Sequence, residues 1–500
     1  MNDAQQLYET YQTKMRRIAD IKAASAVLQW DQETYLPHGG AHFRGQQIST
    51  LSELAHQLFS EGSLGDLLRE LVQKEELTPA QKRNVERTLE DYKKNKKYTS
   101  AFVRAMSEQI NKTFHAWIEA RKQNSFSVYE KDLDALVKLK KEETEILGFV
   151  RHPYDALLDE FEKGATVSLL DKTFATLLPP LKELFQKITA APQVDDSFLR
   201  QHFPAEGQWQ WGLHLIKQLH FDFERGRQDK SEHPFSTSFS PQDVRITTRI
   251  DENDFGNMTW SCIHEIGHAL YEQGLPDEQY GLPLGEACSY SIHESQSRLW
   301  ENNVGRSKDF WQFYYPQLQQ YFPDQFHNAD LDRFYKGINK VQPSLVRTEA
   351  DEISYHFHVF IRYELEKKLI EGALATADIP AFWNEGYKTY LGVTVPDDKR
   401  GCLQDVHWSH GSFGYFPTYS LGSFYAAQFF AKAKDEIVTL SGKITEGNTE
   451  SLLLWLRTRI HSKGRYFTSE DLCKDITGEG LNGRYFLNYA QEKYTGIYTN

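Results

Sequence analysis

The stretch around which the sequence is organised reads Ile263-His264-Glu265-Ile266-Gly267-His268-Ala269-Leu270. If it is helical, His264 and His268 lie one turn apart on the same face, because residues four apart are neighbours on a helix surface. Two imidazoles at that spacing can bind one zinc ion, and Glu265 beside them can take a proton from the water that the metal activates. The alternative is two ordinary histidines at the edge of a helical core, and the complete H-E-x-x-H pattern favours the metal site.

The predicted helix has its own start and stop signals. Asn253 or Asp254 can cap its N-terminus through a side-chain oxygen. Gly274, followed closely by Pro276, predicts its end.

A third ligand has to come from elsewhere, because zinc sites use at least three protein ligands and catalytic sites leave the fourth position to water. Residues 284–300 predict a second helix that follows a Gly-Leu-Pro turn. Glu286, His293 and Glu294 in this segment all carry side chains that bind zinc, and spacing alone does not choose among them. For each of the three, a plain helix-surface residue is the alternative.

Composition excludes several classes of protein. The net charge of −13 argues against nucleic acid or an anionic membrane as a partner. No apolar run reaches the ~18 residues of a membrane-spanning helix, so we expect no membrane partner. The four cysteines form no C-x-x-C pair, which is typical of reduced thiols, and the chain opens on a polar stretch unlike a signal peptide. These features predict a cytoplasmic protein.

Helical periodicity recurs along most of the chain and predicts a mostly α fold with a very small β element. We interpret residues 1–500 as one domain, in which about residues 1–150 could form a helical lid. Pro179-Pro180 should break or kink a helix predicted over 168–190. Strand signals concentrate in residues 233–250, where apolar and polar residues alternate, and predict a short antiparallel pair just before the metal helix.

Two further regions carry residues suited to chemistry. Arg347 and Asp351 are four apart in a segment that we expect to be helical, so they can form a surface ion pair, and an arginine held in this way can also bind a substrate carboxylate. Residues 401–419 form a glycine-rich loop with many His and Tyr side chains. Such side chains are neutral donors to an oxyanion, and the alternative is a buried aromatic plug.

Six short motifs then stand in an order that resembles the carboxypeptidase Taq family of metallocarboxypeptidases. They are H-P-F at 233–235, D-x-R-x-T at 243–247, H-E-x-x-H at 264–268, H-E-S-Q at 293–296, V-R-x-x-A-D at 346–351 and G-x-x-Q-D-x-H-W at 401–408. One such motif would be weak, but six in order span nearly the whole chain.

The resemblance implies a gluzincin-type zinc peptidase, built as a single large helical shell with a deep substrate groove, that forms homodimers. It implies that Glu294 is the third metal ligand beside His264 and His268. Because sites of two histidines and one carboxylate accept several divalent metals, Co²⁺ or Mn²⁺ can substitute for Zn²⁺. It further implies that Arg347 binds the free C-terminus of a peptide substrate. The expected activity is the release of C-terminal amino acids one at a time, with broad specificity.

The remaining site residues are also implied by resemblance. His233 and Arg245 lie in family motifs that we assign to substrate binding, and the Arg245 motif is associated with closing the far end of the groove. A looser similarity to thimet-oligopeptidase-like peptidases places substrate-binding or oxyanion-stabilising residues at His410, Tyr415 and Tyr419. We expect His407, in the G-x-x-Q-D-x-H-W motif, to be a further substrate contact or oxyanion donor. Two alternatives remain: an oligoendopeptidase on the same fold, or a non-catalytic, metal-containing peptide-binding protein.

Overall fold

Helices build almost all of the structure, a computed structural model that describes residues 3–499. The first ten are α1 (Asp3–Thr34), α2 (Ala41–Phe59), α3 (Gly62–Leu71), α4 (Pro79–Asn95), α5 (Ser100–Gln123), α6 (Ser127–Leu147), α7 (Pro153–Phe161), α8 (Val167–Ala190), α9 (Ala205–Gln218) and α10 (Phe255–Glu272). The next are α11 (Tyr290–Arg298), α12 (Lys308–Tyr321), α13 (Pro323–Phe326), α14 (Leu331–Ile338), α15 (Tyr355–Glu371), α16 (Ile379–Leu391), α17 (Phe416–Glu436), α18 (Leu440–Thr445), α19 (Glu450–Arg459), α20 (Ser469–Thr477) and α21 (Arg484–Tyr498). The predicted mostly α fold is confirmed.

The β element is one three-stranded sheet, formed by β1 (Gly226–Lys230), β2 (Ser236–Ser240) and β3 (Asp243–Thr248). β3 is central, antiparallel to β2 and parallel to β1. The predicted antiparallel pair is therefore confirmed. The parallel strand β1 was not predicted, because its sequence Gly-Arg-Gln-Asp-Lys lacks the apolar alternation that marks a strand.

The chain folds into two compact units. Unit 1 contains the chain up to Lys96 with residues 195–338 and 429–480, and unit 2 contains residues 97–194 and 339–428 with the chain from Leu481 onward. The proposal of a lid over about residues 1–150 stays a prediction.

In unit 1, α10 packs against α9, α11, β2 and β3, so the sheet and a second helix both touch the helix that carries the H-E-x-x-H motif. Its contacts with β2 and α11 bring the residues of those elements to the motif. In unit 2, α15 packs against α6, α7, α8 and α16 and forms the centre of that unit.

α8 continues without interruption through Pro179 and Pro180. Leucines on both sides of the proline pair, Leu177, Leu178 and Leu181 among them, are buried. Burying each such side chain contributes roughly 1.5–3 kcal/mol, which offsets the ~3 kcal/mol that a proline costs inside a helix. Within residues 3–499, no helix is both long and apolar enough to cross a membrane.

Candidate metal centre and arginine cluster

α10 positions the two motif histidines. The Asp254 side chain accepts a hydrogen bond from the Gly256 amide and caps the helix, as one of the two predicted caps would. Met258, Cys262 and Ile266 bury one face of α10 in the core. His264 and His268 therefore share the partly exposed edge of the helix, one turn apart.

Gly267 lets the second helix approach α10 closely. A Cβ at this position would lie 2.5 Å from the Ser297 Cα and 2.6 Å from the Gln296 carbonyl oxygen, both on α11. No side chain fits in that space, so the two helices touch through backbone. This contact brings Glu294, three residues earlier on α11, beside the two histidines.

The three side chains converge on one point. One ligand atom each from His264, His268 and Glu294 lies within 4.8 Å of the other two. Glu294 Oε2 is 3.7 Å from His264 Nε2 and 3.5 Å from His268 Nε2. These separations are longer than an ordinary hydrogen bond and close to the roughly 3.3–3.6 Å that tetrahedral geometry gives between ligand atoms bound to zinc at about 2.0–2.2 Å.

Of the other two candidates for the third ligand, Glu286 is exposed and pairs with Arg465, with Arg465 Nη1 2.7 Å from Glu286 Oε2. His293 lies behind His268 rather than beside both motif histidines, with the two Nδ1 atoms 2.6 Å apart. The geometry therefore favours the choice that the family resemblance implied.

A π-helical segment, Leu299–Val304, continues α11 and supplies a carboxylate that the sequence did not reveal. Glu301 Oε2 lies 2.9 Å from His264 Nδ1, so the Nδ1 proton is donated to this carboxylate and Nε2 keeps its lone pair for a metal. Arg298 donates from Nε to Glu294 and from Nη1 to Glu301, at 2.7 and 3.0 Å. The only signal was two separated charged residues after H-E-S-Q, Arg298 and Glu301, which are typical of a helix surface.

The charges of this cluster fit a divalent cation. Four carboxylates and two guanidinium groups surround the two motif histidines among the described residues, which leaves two negative charges when both histidines are neutral, as metal ligands are. The carboxylates are Glu265, Glu272, Glu294 and Glu301, and the guanidinium groups are those of Arg298 and Arg306. Buried charge of one sign is costly unless an opposite charge compensates it. A +2 ion would do so.

The pKa values of the three candidate ligands are shifted by burial and by these neighbouring charges. Burial lowers the pKa of His264, but Glu294 and Glu301 raise it more, to about 8, so without a metal its Nε2 is mostly protonated at pH 7 and a bound metal ion would displace that proton. Burial and the neighbouring His293 lower the pKa of His268 to about 4, so this imidazole is neutral near pH 7 and can act as a ligand. Burial raises the pKa of Glu294, but Arg298 and the histidines lower it far more, so it is an anion.

Glu265 lies on the same helix and is buried. Burial raises the pKa of its carboxyl group above the ordinary value. The hydroxyl of Ser236, on β2, donates to Glu265 Oε2 at 2.6 Å and fixes the carboxylate. Sequence patterns offer no sign of this serine, because its role depends on the sheet that packs against α10.

Two other predicted site residues also belong to unit 1. His233 is exposed in the turn before β2. Arg245, on β3, forms two hydrogen bonds of 2.9 Å to Asp243 and lies over the rings of Trp30 and Phe239, 4.4 and 4.9 Å from their centroids. The D-x-R pattern thus forms an ion pair within one strand.

Arg347 belongs to unit 2 and lies in a single 3-10 turn, because α15 begins only at Tyr355. The expected ion pair with Asp351 is wrong. Asp351 instead accepts hydrogen bonds from the Ser354 amide and hydroxyl, and Arg347 binds Asp405 Oδ1 through Nε and Nη2, at 3.0 and 2.9 Å. The expected pair required residues 347–351 to form an α-helix, and no α-helix forms there.

Asp405 is shared by a second arginine, which the sequence analysis missed. Arg362, fully buried on α15, donates to Asp405 Oδ2 from Nε at 2.7 Å. We define Arg347, Arg362 and Asp405 as the arginine cluster. Two guanidinium groups around one carboxylate leave one positive charge, and an anion such as a peptide carboxylate would compensate it. Burial opposes the ionisation of Asp405, but both arginines lower its pKa strongly.

Three of the four predicted loop residues lie beside this cluster. The Tyr419 ring centroid is 4.9 Å from the Arg347 guanidinium, and its hydroxyl lies 3.2 Å from His407 Nε2. The ring of Tyr415 is 5.2 Å from that of Tyr419. Burial and the two nearby arginines lower the pKa of His407 to about 3, so this histidine is neutral near pH 7.

The fourth, His410, is exposed, and its ring lies 4.9 Å from that of Phe114 on α5.

Comparisons with known proteins assign the chain to a family. The family model described as Carboxypeptidase Taq (M32) metallopeptidase matches residues 10–494. Carboxypeptidase 1 of Bacillus subtilis is 38% identical over 486 residues, with 97% of each chain covered. The crystal structure of an M32 carboxypeptidase from Deinococcus radiodurans R1 has a TM-score of 0.97 at 36% identity, covering 99% of this chain and 100% of that one. The solved structure of a protein called CHT has a TM-score of 0.97 at 58% identity, covering 98% and 99% of the two chains. This chain belongs to the carboxypeptidase Taq (M32) family of metallopeptidases.

Proposed function

We propose that this metal-dependent carboxypeptidase holds a zinc ion on His264, His268 and Glu294 and releases amino acids one at a time from the C-termini of peptides, with broad side-chain specificity. The observation that carries the proposal is the convergence of these three ligand atoms within 4.8 Å, with a buried glutamate next to the first of them on the same helix. Co²⁺ or Mn²⁺ can substitute, because sites of two histidines and a carboxylate accept several divalent metals.

Glu265 is the proposed general base. A zinc ion in such a site supplies Lewis acidity, which makes water more acidic and polarises the scissile carbonyl. Glu265 accepts a proton from the attacking water and later delivers one to the leaving amine. The pKa of its carboxyl group, raised by burial, improves its strength as a base, and Ser236 holds the carboxylate in place.

Arg347 is the proposed anchor for the free carboxylate of the substrate. Asp405 keeps the guanidinium group in a fixed orientation, and the positive charge left over in the arginine cluster favours an anion. Recognition of a terminal carboxylate confines cleavage to the last peptide bond, which distinguishes a carboxypeptidase from the oligoendopeptidase alternative.

Hydroxyl and imidazole groups are the proposed hydrogen-bond donors to the scissile carbonyl oxygen, which gains negative charge during the reaction. Tyr415 and Tyr419 present phenol hydroxyls, and we retain His407 and His410 as further donors or substrate contacts. Because His407 is neutral, it would act as a hydrogen-bond donor and not as a cation.

For unit 1, we propose that His233 contacts substrate and that Arg245 shapes the groove by holding Trp30 and Phe239 in place.

Partners and location also remain proposals. The family resemblance is the support for a homodimer. All four cysteines are free thiols, which supports a cytoplasmic location, and the acidic chain offers nothing that favours nucleic acid or a membrane as a partner.

Mass spectrometry of one unblocked peptide and its C-terminally amidated twin tests the proposal. Each is incubated with zinc-loaded protein, with and without a chelator. We expect a ladder that loses one C-terminal residue at a time from the free peptide, abolished by the chelator and strongly slowed for the amidated twin. Internal fragments from both peptides would indicate an oligoendopeptidase, and no chelator-sensitive cleavage would indicate a non-catalytic binding protein.

A further inference from the structure

The two histidines of the metal centre are supported in different ways. His264 Nδ1 faces a carboxylate directly, that of Glu301, at 2.9 Å. His268 Nδ1 faces another imidazole, with 2.6 Å to His293 Nδ1, and also the His293 carbonyl oxygen at 3.1 Å. On its other side, His293 Nε2 lies 2.8 Å from Glu272 Oε1.

The hydrogen-bond partners assign the protons along this chain of groups. The carboxylate of Glu272 can only accept, so His293 Nε2 carries a proton and donates it. His293 Nδ1 is then a lone-pair acceptor, and His268 Nδ1 must donate to it. His268 Nε2, on the side facing Glu294, is left with its lone pair, which is the form that binds a metal.

The backbone explains why the connection passes through a second histidine. Glu272 is one turn beyond His268 on α10, and β2 also lies against this helix. His293 immediately precedes Glu294 on α11, so the close approach of the two helices at Gly267 brings both residues in together. The imidazole of His293 then bridges the carboxylate of Glu272 to His268.

We propose that Glu272 and His293 form a relay that holds His268 in its metal-binding tautomer and orientation, an inference that rests on the proposed role of His268 as a metal ligand. Glu272 and His293 are positioning residues: they act through His268 and touch neither metal nor substrate. The functional pattern in α10 is therefore H-E-x-x-H-x-x-x-E, of which the last glutamate had no assigned role.

The test is zinc affinity, measured by competition with a chromophoric chelator on metal-stripped full-length protein. Removing a group that supports a metal-binding histidine typically weakens metal binding by about 10–100-fold. We expect a rise of about 10-fold or more in the Kd of Glu272→Ala and a smaller rise for Glu272→Gln, which keeps an acceptor oxygen without the charge. Glu278→Gln is the matched control, because that carboxylate is exposed, lies six residues further along the chain and should leave the Kd within about twofold.

A double-mutant cycle separates a relay from a general effect of charge or packing. If Glu272 acts through His293, then Glu272→Ala should have little further effect on zinc affinity in a His293→Ala background. His268 would keep the backbone carbonyl oxygen of residue 293 as an acceptor, so binding should weaken in that background without being lost. Far-ultraviolet circular dichroism of the metal-free variants checks that each still folds.

Three outcomes are decisive. Non-additive losses at Glu272 and His293 would support the relay. A full additional loss from Glu272→Ala in the His293→Ala background, or an unchanged Kd for the single variant, would overturn it while leaving the metal site in place. If the wild-type chain binds no zinc and His268→Ala changes nothing, the proposed metal site itself fails.

Discussion

Around the two histidines of the candidate metal centre in unit 1 lie four carboxylates and two guanidinium groups, whereas in the arginine cluster of unit 2 two guanidinium groups share one carboxylate. One group of buried charges lacks two positive charges and the other lacks one negative charge. The first matches a divalent cation and the second matches a monocarboxylate. The comparison teaches that the charge left over in a buried cluster indicates the sign of the ligand that would complete it.

The largest expected effect separates catalysis from metal binding within the candidate metal centre. Glu265→Gln should lower kcat by about 10³-fold, because the general base is lost, whereas zinc affinity should change little, because Glu265 is not a ligand. Steady-state kinetics and metal analysis of the same preparation check both. Normal turnover in this variant would contradict the assignment of Glu265, and loss of zinc would mean that its charge is needed to hold the cation.

A smaller effect on activity is expected in the arginine cluster. Arg347→Ala should lower kcat/KM on a peptide with a free C-terminus by about 10²-fold, since charge-assisted hydrogen bonds to a carboxylate contribute roughly 1.5–3 kcal/mol each. Residual activity on the amidated twin should be unaffected, as should zinc content. Arg400→Ala is the control, because this exposed arginine pairs with Asp397 in the same unit. Equal losses on both peptides would refute the role of Arg347 as a carboxylate anchor.

The smallest expected effect concerns His407, whose protonation would add a second surplus positive charge beside the arginine cluster. The folded pKa of His407, about 3, lies below the unfolded value of ~6.5, so the unfolded state binds more protons between these pH values. Stability from this group is therefore complete above pH ~6.5 and falls as the pH drops, by about 2 kcal/mol at pH 5. Urea unfolding of wild type and His407→Gln at pH 8 and pH 5 measures it. The variant should lose less stability on acidification, and an identical loss would mean that His407 is already protonated in the folded state.

The two clusters also differ in how far the sequence predicts them. His264 and His268 are fixed by helical spacing, and six ordered motifs pointed to Glu294 as their partner. The ion pair of Arg347 was assigned to Asp351 because local spacing offers only local partners, whereas its real partner, Asp405, lies 58 positions away. Glu301, Ser236 and Arg362 went unnoticed for the same reason: each acquires its role from tertiary contacts between elements.

Fold class followed from periodicity alone, since long amphipathic helices dominate the chain. The antiparallel strands β2 and β3 were predictable from alternation, but β1 is polar and joins the sheet only through backbone hydrogen bonds to β3. Sequence patterns thus predict elements that bury their own apolar face, and miss those whose place depends on a neighbour.

Gly267 has a consequence for how such sites are searched for and designed. It contacts no ligand in the proposed mechanism, yet the space beside it is filled by the backbone of α11 at 2.5 Å from where a methyl group would be. A pattern that accepts any residue at the third position after His264 therefore admits sequences in which α11 could not come this close and its carboxylate would fall short of the histidines. In a designed version of this site, the motif would have to be written H-E-x-G-H, with the glycine treated as a spacing constraint between two helices.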